Sequence, residues 1–255
     1  MIEVWDVTLP KLSGRKKRRA YVYVPEAAES DDQLRFPVLY MFDGHNVFFD
    51  EDATYGKSWC LGEYLDEYQV PLIVAAVECN HNRHNGRLSE YAPYTFTCDE
   101  FGTIEGRGPK TMDWMVRRFK REIDKRYPTK PDRRNTFIAG SSMGGLMSLY
   151  AVSCFNDVFS RAAALSPSVD FGAKSLDEMI RTADISPDTV LYMDMGEAEL
   201  GWHDTEKNFW RFSTMLAKRG VNVTARIVPN GEHCEACWEK QIPFFVQTLL
   251  YDLED

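Results

Sequence analysis

Short apolar runs, each closed by turn residues, alternate along the chain with segments whose apolar positions recur every three or four residues. The runs "IEVWDVTL", "RRAYVYVP", "FPVLYMFDG", "PLIVAAVEC", "NTFIAG", "RAAALSPS", "TVLYMDMG" and "NVTARIVPN" read as about eight strands. The first two predict an antiparallel N-terminal hairpin. In "TMDWMVRRFKREIDKRY", Met112, Met115, Val116, Phe119 and Ile123 fall on one stripe, with most of the basic residues elsewhere around the turn, which predicts a core-facing helix. "EKNFWRFSTMLAKRG" places Phe209, Phe212 and Leu216 on one face and ends at Gly220, a left-handed cap. Pro243 should start the terminal helix or kink it.

Strand and helix alternation over 255 residues implies an α/β fold. The expected form is a mostly parallel sheet with helices on both faces, entered through the hairpin and forming one domain over 1–255. Such sheets bind ligands beyond the carboxyl ends of their strands, so the residues that follow each run carry the search for function.

Composition narrows the classes. Hydrophobic residues at 44% and charged residues at 27% are ordinary globular usage. A net charge of -9 disfavours nucleic acid, whose phosphates are held by Lys and Arg. The basic cluster "KLSGRKKRR" at 11–19 contains the turn pair Ser13-Gly14 and reads as a solvated hairpin tip. No apolar run approaches the ~18 residues of a membrane span, so no membrane partner is expected. "MIEVWDVTLP" lacks the basic and apolar regions of a signal peptide, which points to the cytoplasm. Six cysteines are too few for a disulfide scaffold in a chain this long. "HCEAC" holds a single C-x-x-C, and His81 and His84 in "HNRH" complete it poorly, so no metal and no cofactor are expected.

Gly140-Ser141-Ser142-Met143-Gly144 fits G-x-S-x-G between a strand and a helix. A strand that turns sharply into a helix needs small neighbours, and the turn lifts the central side chain above the sheet. Ser142 is therefore the candidate nucleophile; Ser141 shares the turn but not the glycine spacing. Serine needs a base and an orienting carboxylate, which in α/β-hydrolases follow it in the order acid, then histidine. Downstream stand His203, near a helix start, and His233, in the loop after the last strand, which is the candidate base. The acid candidates follow "TVLYMDMG": Glu199 is favoured, Asp194 is next, and Glu197 shares the loop. An oxyanion would take one amide from Met143 and another from the Asp43-Gly44 region of "LYMFDGHN". His45 suits substrate contact or a hydrogen bond that holds this loop.

With these positions in place, "VLYMFDGHNVF", "RLSEYAP", "IDKRYPTKPDRRNTFIAGSSMGGLMSLY", "YMDMGEAE" and "GEHCEACWEKQIP" resemble an esterase family of α/β-hydrolases. That family includes feruloyl and acetyl-xylan esterases, enterochelin esterases and the esterase D group. Its acid usually ends a G-x-x-[DE] segment, which falls on Gly196 and Glu199, and its histidine falls on His233 with Trp238 packing downstream. Members often carry D-G-Q-N where this chain has Asp43-Gly44-His45-Asn46, a departure at His45. The resemblance implies a cofactor-free serine carboxylesterase acting on a small-molecule ester, with self-association left open. Hydroxycinnamoyl or acetyl esters of sugars lead, followed by siderophore lactones and S-acyl thioesters. It also implies that Arg87, Glu90 and Tyr91 lie near the site, where they would contact substrate or pair structurally. Trp59, Tyr94 and Trp202 are candidates for lining an acyl pocket. Two readings of other classes compete: a binding protein that keeps the fold, and a thiol or metal protein built on His233, Cys234 and Cys237.

Overall fold

In the computed structural model, which describes residues 1–202 and 204–253, one eight-stranded sheet organises the chain. The strands in chain order are β1 (Ile2–Thr8), β2 (Lys17–Tyr23), β3 (Val38–Met41), β4 (Ile73–Val77), β5 (Phe96–Cys98), β6 (Gly102–Ile104), β7 (Thr136–Ser141), β8 (Arg161–Leu165), β9 (Val190–Gly196) and β10 (Asn222–Val228). The main sheet runs β1-β2-β4-β3-β7-β8-β9-β10. β1 pairs antiparallel with β2, and β2 with β4; every pairing from β4 to β10 is parallel. The small antiparallel pair β5-β6 stands apart and was not anticipated, because three-residue strands carry too little periodicity to register.

Period-two alternation builds a core on each face. On β3 and just past it, Val38, Tyr40 and Phe42 join one cluster while Leu39 and Met41 join the other; on β4, Ile73, Ala75 and Val77 oppose Val74 and Ala76. The first face is covered by helices that supply Met112, Phe119, Leu146, Leu176, Phe209 and Phe212. The second is covered by Leu61–Glu67 and the terminal helix Ile242–Leu250. Pro243 stands in the first turn of that helix, where its missing amide costs nothing, so it starts the helix rather than kinking it. Gly220 has φ +89 beyond Thr205–Lys218, the left-handed stop expected there.

The stripe from Met112 to Ile123 does face the core, but through Gly108–Trp114, a π-helical stretch Met115–Lys120 and Arg121–Arg126 in succession. The wider π turn keeps Met115 and Phe119 buried and leaves Val116 half-buried. The basic cluster departs further from expectation. Arg18 is buried and its Nη2 donates to Glu90 Oε2 at 2.7 Å, and Arg19 pairs with Glu78 and Asp52, so only part of the cluster is a solvated tip. Among the described residues, no helix is long and apolar enough to cross a membrane.

Candidate active site

At the end of β7 the chain reverses into the helix Met143–Cys154 with Ser142 at φ 59, ψ -121. Left-handed backbone of this kind costs a residue other than glycine roughly 1–3 kcal/mol and persists only where its surroundings enforce it. The glycines of the pattern are what allow it. A Cβ on Gly140 would lie 2.8 Å from the Gly144 carbonyl carbon, and one on Gly144 would lie 3.1 Å from Phe42 Cβ. The Ser142 amide donates to Leu165 O at 2.9 Å, anchoring the turn to β8. Ser142 is half-buried, whereas Ser141 is buried.

Past the carboxyl end of β9, a single 3₁₀ turn, Glu197–Glu199, brings Glu199 back over the sheet. Its Oε1 accepts from the Gly196 amide at 2.7 Å and from Ser166 Oγ at 2.6 Å, and its Oε2 lies 2.7 Å from His233 Nδ1. Burial alone would raise this carboxyl's pKa, but the hydrogen bonds from His233 and Ser166 and the imidazole charge outweigh it, holding the group below the ordinary value. A carboxylate facing Nδ1 fixes the neutral ring with its proton there and leaves Nε2 as a base. The loops carrying the two residues touch: Ala198 N donates to Gly231 O, and a Cβ on Gly196 would fall 2.5 Å from Gly231.

Asp194 is placed differently. It is buried, accepts from Tyr192 Oη at 2.8 Å and from the Ser166 amide at 3.3 Å, and does not reach the imidazole. Burial pushes its pKa up to about 7. Glu197 caps the Asn230 amide at 2.7 Å.

The loop after β3 holds Asp43 in left-handed backbone at φ 56 and presses Gly44 against β4, where a Cβ would meet Val77 N at 2.8 Å. The Asp43 amide donates to Tyr91 Oη at 3.1 Å, so it is already committed. Of the Asp43 and Gly44 amides, that of Gly44 is therefore the one not committed to Tyr91, and Met143 stands at the first position of the helix that follows the Ser142 turn. The Asp43 carboxylate takes a two-pronged bond from Arg87, Nε at 2.8 Å and Nη2 at 2.7 Å. Burial would raise its pKa, and the Arg87 charge overrides this, keeping it ionised.

Two expected substrate contacts are corrected by this arrangement. Glu90, 2% exposed, spends both oxygens on Arg18, and Tyr91 is buried beneath the loop it supports; neither reaches the cavity. Arg87 does reach it, paired with Asp43 rather than with Glu90. Trp59 is buried against Trp238, and Tyr94 lies under the chain at Phe171; neither lines the cavity. Trp202 is half exposed with its ring 5.4 Å from that of His233. His203 lies outside the described residues.

Ser142 and His233 open into one cavity of about 540 Å³, whose wall combines polar residues such as Asn46, Asn80, Arg87 and Glu235 with about as much apolar surface, from groups such as Leu88 and Trp238. Ser142 Oγ lies 3.4 Å from Ser168 Oγ, so in this conformation its neighbour is a second hydroxyl. Catalytic hydrogen bonds commonly tighten only when substrate binds. Two supporting groups escaped the sequence reading: Ser168 beside the nucleophile and Ser166 beneath Glu199; Trp238, expected to pack near His233, has its ring 5.1 Å from the imidazole and also donates to Ser166 Oγ at 3.0 Å. Both serines follow β8 in "LSPS", at the strand end where ligand groups collect, and that position was the available signal. His45 also faces the cavity, with Nε2 3.0 Å from Thr54 Oγ1 and its ring 4.7 Å from that of His81. Cys79 is buried beside them, and burial, reinforced by Asp43, pushes its thiol well above the ordinary range.

The model of a family described as "Putative esterase" matches residues 13–248. The chain is similar to the uncharacterized protein YbbA of Bacillus subtilis (strain 168), 24% identical over 186 residues, 71% of this chain and 69% of that one. Among solved structures it is similar to an IroE-like serine hydrolase from Shewanella oneidensis, with a TM-score of 0.74 and 17% identity, covering 97% of this chain and 79% of the other. A ferulic acid esterase gives a TM-score of 0.70 at 17% identity, covering 98% and 97%.

Proposed function

The chain belongs to the "Putative esterase" family and is a serine carboxylic ester hydrolase, and on that premise we propose that Ser142 is its nucleophile, His233 its general base and Glu199 the carboxylate that orients the base. The observation that carries this reading is the 2.7 Å bond between Glu199 Oε2 and His233 Nδ1, in a loop that opens into the same cavity as the turn bearing Ser142. Ser142 Oγ attacks the ester carbonyl while His233 Nε2 takes its proton. The oxyanion that forms is received by the amides of Gly44 and Met143, and the start of the helix beneath favours its charge. His233 returns the proton to the departing alcohol. Water then attacks the acyl-enzyme with His233 again as base, releasing the acid and restoring Ser142.

For the substrate we propose a small ester of a hydroxyl-rich partner, a hydroxycinnamoyl or acetyl ester of a sugar. The asparagines, histidines and ion-paired arginine of the cavity offer many hydrogen bonds to a hydroxyl-rich partner, and Trp238, Tyr55 and Leu88 offer apolar surface for a short or aromatic acyl group. A panel of p-nitrophenyl, acetyl-sugar and feruloyl-sugar esters, with an S-acyl thioester and a catecholate trilactone, tests both levels. Turnover of one sugar ester at a kcat/KM at least ten-fold above the others supports the substrate, whereas preference for the thioester or lactone replaces it. Ser142→Ala should lose about 10⁴-fold or more in kcat; unaltered turnover would remove Ser142 from its role.

A further inference from the structure

The cavity wall opposite the nucleophile brings together His45, Cys79 and His81, from the loops after β3 and β4, with one potential ligand atom each and all three atoms within 4.8 Å of one another. Ester hydrolysis as derived above uses none of the three. His45 is 3% exposed, and its Nδ1 is buried without a hydrogen-bond partner although the ring's other nitrogen is held by Thr54. Packing alone leaves that unmet nitrogen unexplained, because buried polar atoms are nearly always paired. Cys79 Sγ lies 4.0 Å from His81 Nδ1, and His81 is exposed and free to adjust.

We propose that His45 Nδ1, Cys79 Sγ and His81 Nδ1 form a binding site for one zinc-class divalent ion on the wall of the substrate cavity. One thiolate and two imidazoles are a donor set that suits zinc, cobalt or copper over magnesium or calcium, which prefer oxygen. With metal–sulfur and metal–nitrogen bonds of about 2.3 and 2.0 Å, a tetrahedral site needs its ligand atoms roughly 3.3 to 3.6 Å apart. The observed spacing, within 4.8 Å throughout and 4.0 Å between Cys79 Sγ and His81 Nδ1, therefore has to contract on binding, and the exposed His81 side chain is the ligand with room to move. Thr54 engages Nε2 of His45, the outer hydrogen bond that metal-bound imidazoles commonly have, and so leaves Nδ1 as the nitrogen without a partner. Three protein ligands leave a fourth position facing the cavity, open to water or to an oxygen of a bound ligand.

Cobalt(II), a spectroscopic stand-in for zinc, tests the site without recourse to activity. Chelator-stripped full-length protein titrated with cobalt should develop tetrahedral visible bands and a thiolate-to-cobalt charge-transfer band, saturating at one ion per chain and displaced by zinc. Cys79→Ser should abolish the charge-transfer band, and His81→Ala, at an exposed position where folding is not at stake, should weaken cobalt binding at least ten-fold. Cys234→Ser should leave both signals intact. The site is overturned if no thiolate band forms, if the band survives in Cys79→Ser, if cobalt binds His81→Ala as tightly as wild type, or if Cys234→Ser removes the band.

Discussion

Glu199 and Asp194 lie five residues apart on one strand-to-turn segment, and their surroundings shift their pKa values in opposite directions. Glu199 gains hydrogen bonds from an amide, a hydroxyl and an imidazole that keep it ionised despite burial; Asp194 has a phenol and one long amide contact, and burial wins. Only an ionised acceptor can hold an imidazole that becomes charged in the transition state. Glu199→Gln should therefore lower kcat by roughly 10³–10⁴-fold with the fold intact. Asp194→Asn should cost less than about ten-fold, and steady-state kinetics with circular dichroism on both variants decides between them. The pairing of Glu199 with His233 was legible in advance because the loop after Gly196 and the G-x-x-[DE] segment both favoured it over Asp194. Glu90 and Tyr91 were not, because their partners, Arg18 and the Asp43 amide, stand 72 and 48 residues away and no local pattern shows that pairing.

At the scale of elements, glycines set how closely loops can approach the sheet. Gly140 and Gly144 touch across the turn that carries Ser142, which gives the five-residue pattern its physical reason. Gly44 does the same for the loop after β3, the proposed oxyanion loop, against Val77, with backbone atoms on the other side that cannot yield. Gly44→Ala should cost about 1–3 kcal/mol by overpacking and displace the amide proposed to receive the oxyanion. Thermal denaturation should show a lower Tm, and kcat should fall more than KM rises; an unchanged Tm and kcat would mean the loop has room after all. The strands of the main sheet were legible because their apolar runs are long and end in turn residues. The π-helical stretch at Met115–Lys120 was not, since a stripe at helical spacing reads alike whether one turn is widened or none is.

Across the whole molecule, the two-faced sheet leaves Asp194 in a layer where charge is disfavoured, and this ties stability to pH. Its native pKa of about 7 lies above the ~3.9 of an unfolded aspartate. The stabilisation from holding the proton is complete below about pH 4 and is lost as pH rises through 7. Asp194→Asn removes that loss. The Tm of the variant relative to wild type should rise by roughly 5 °C between pH 5 and pH 8; a constant difference would show that the carboxyl is ionised throughout. The architecture as a whole followed from alternation of strand and helix, while the destinations of Arg18 and Arg19 did not, because a run of basic residues looks solvated until the acidic groups that fold over it are known.

The Trp238 indole donates to Ser166, which in turn donates to Glu199, and the indole ring stands 5.1 Å from that of His233. A fluorophore locked at that distance responds to the charge its neighbour carries, since an imidazolium quenches indole emission and a neutral ring does so far less. Emission that is present in wild type and lost in Trp238→Phe should therefore change with the charge on His233, read against the other tryptophans, among them Trp202 at 5.4 Å from the same ring; a difference signal that does not vary with pH would show that the two rings do not communicate.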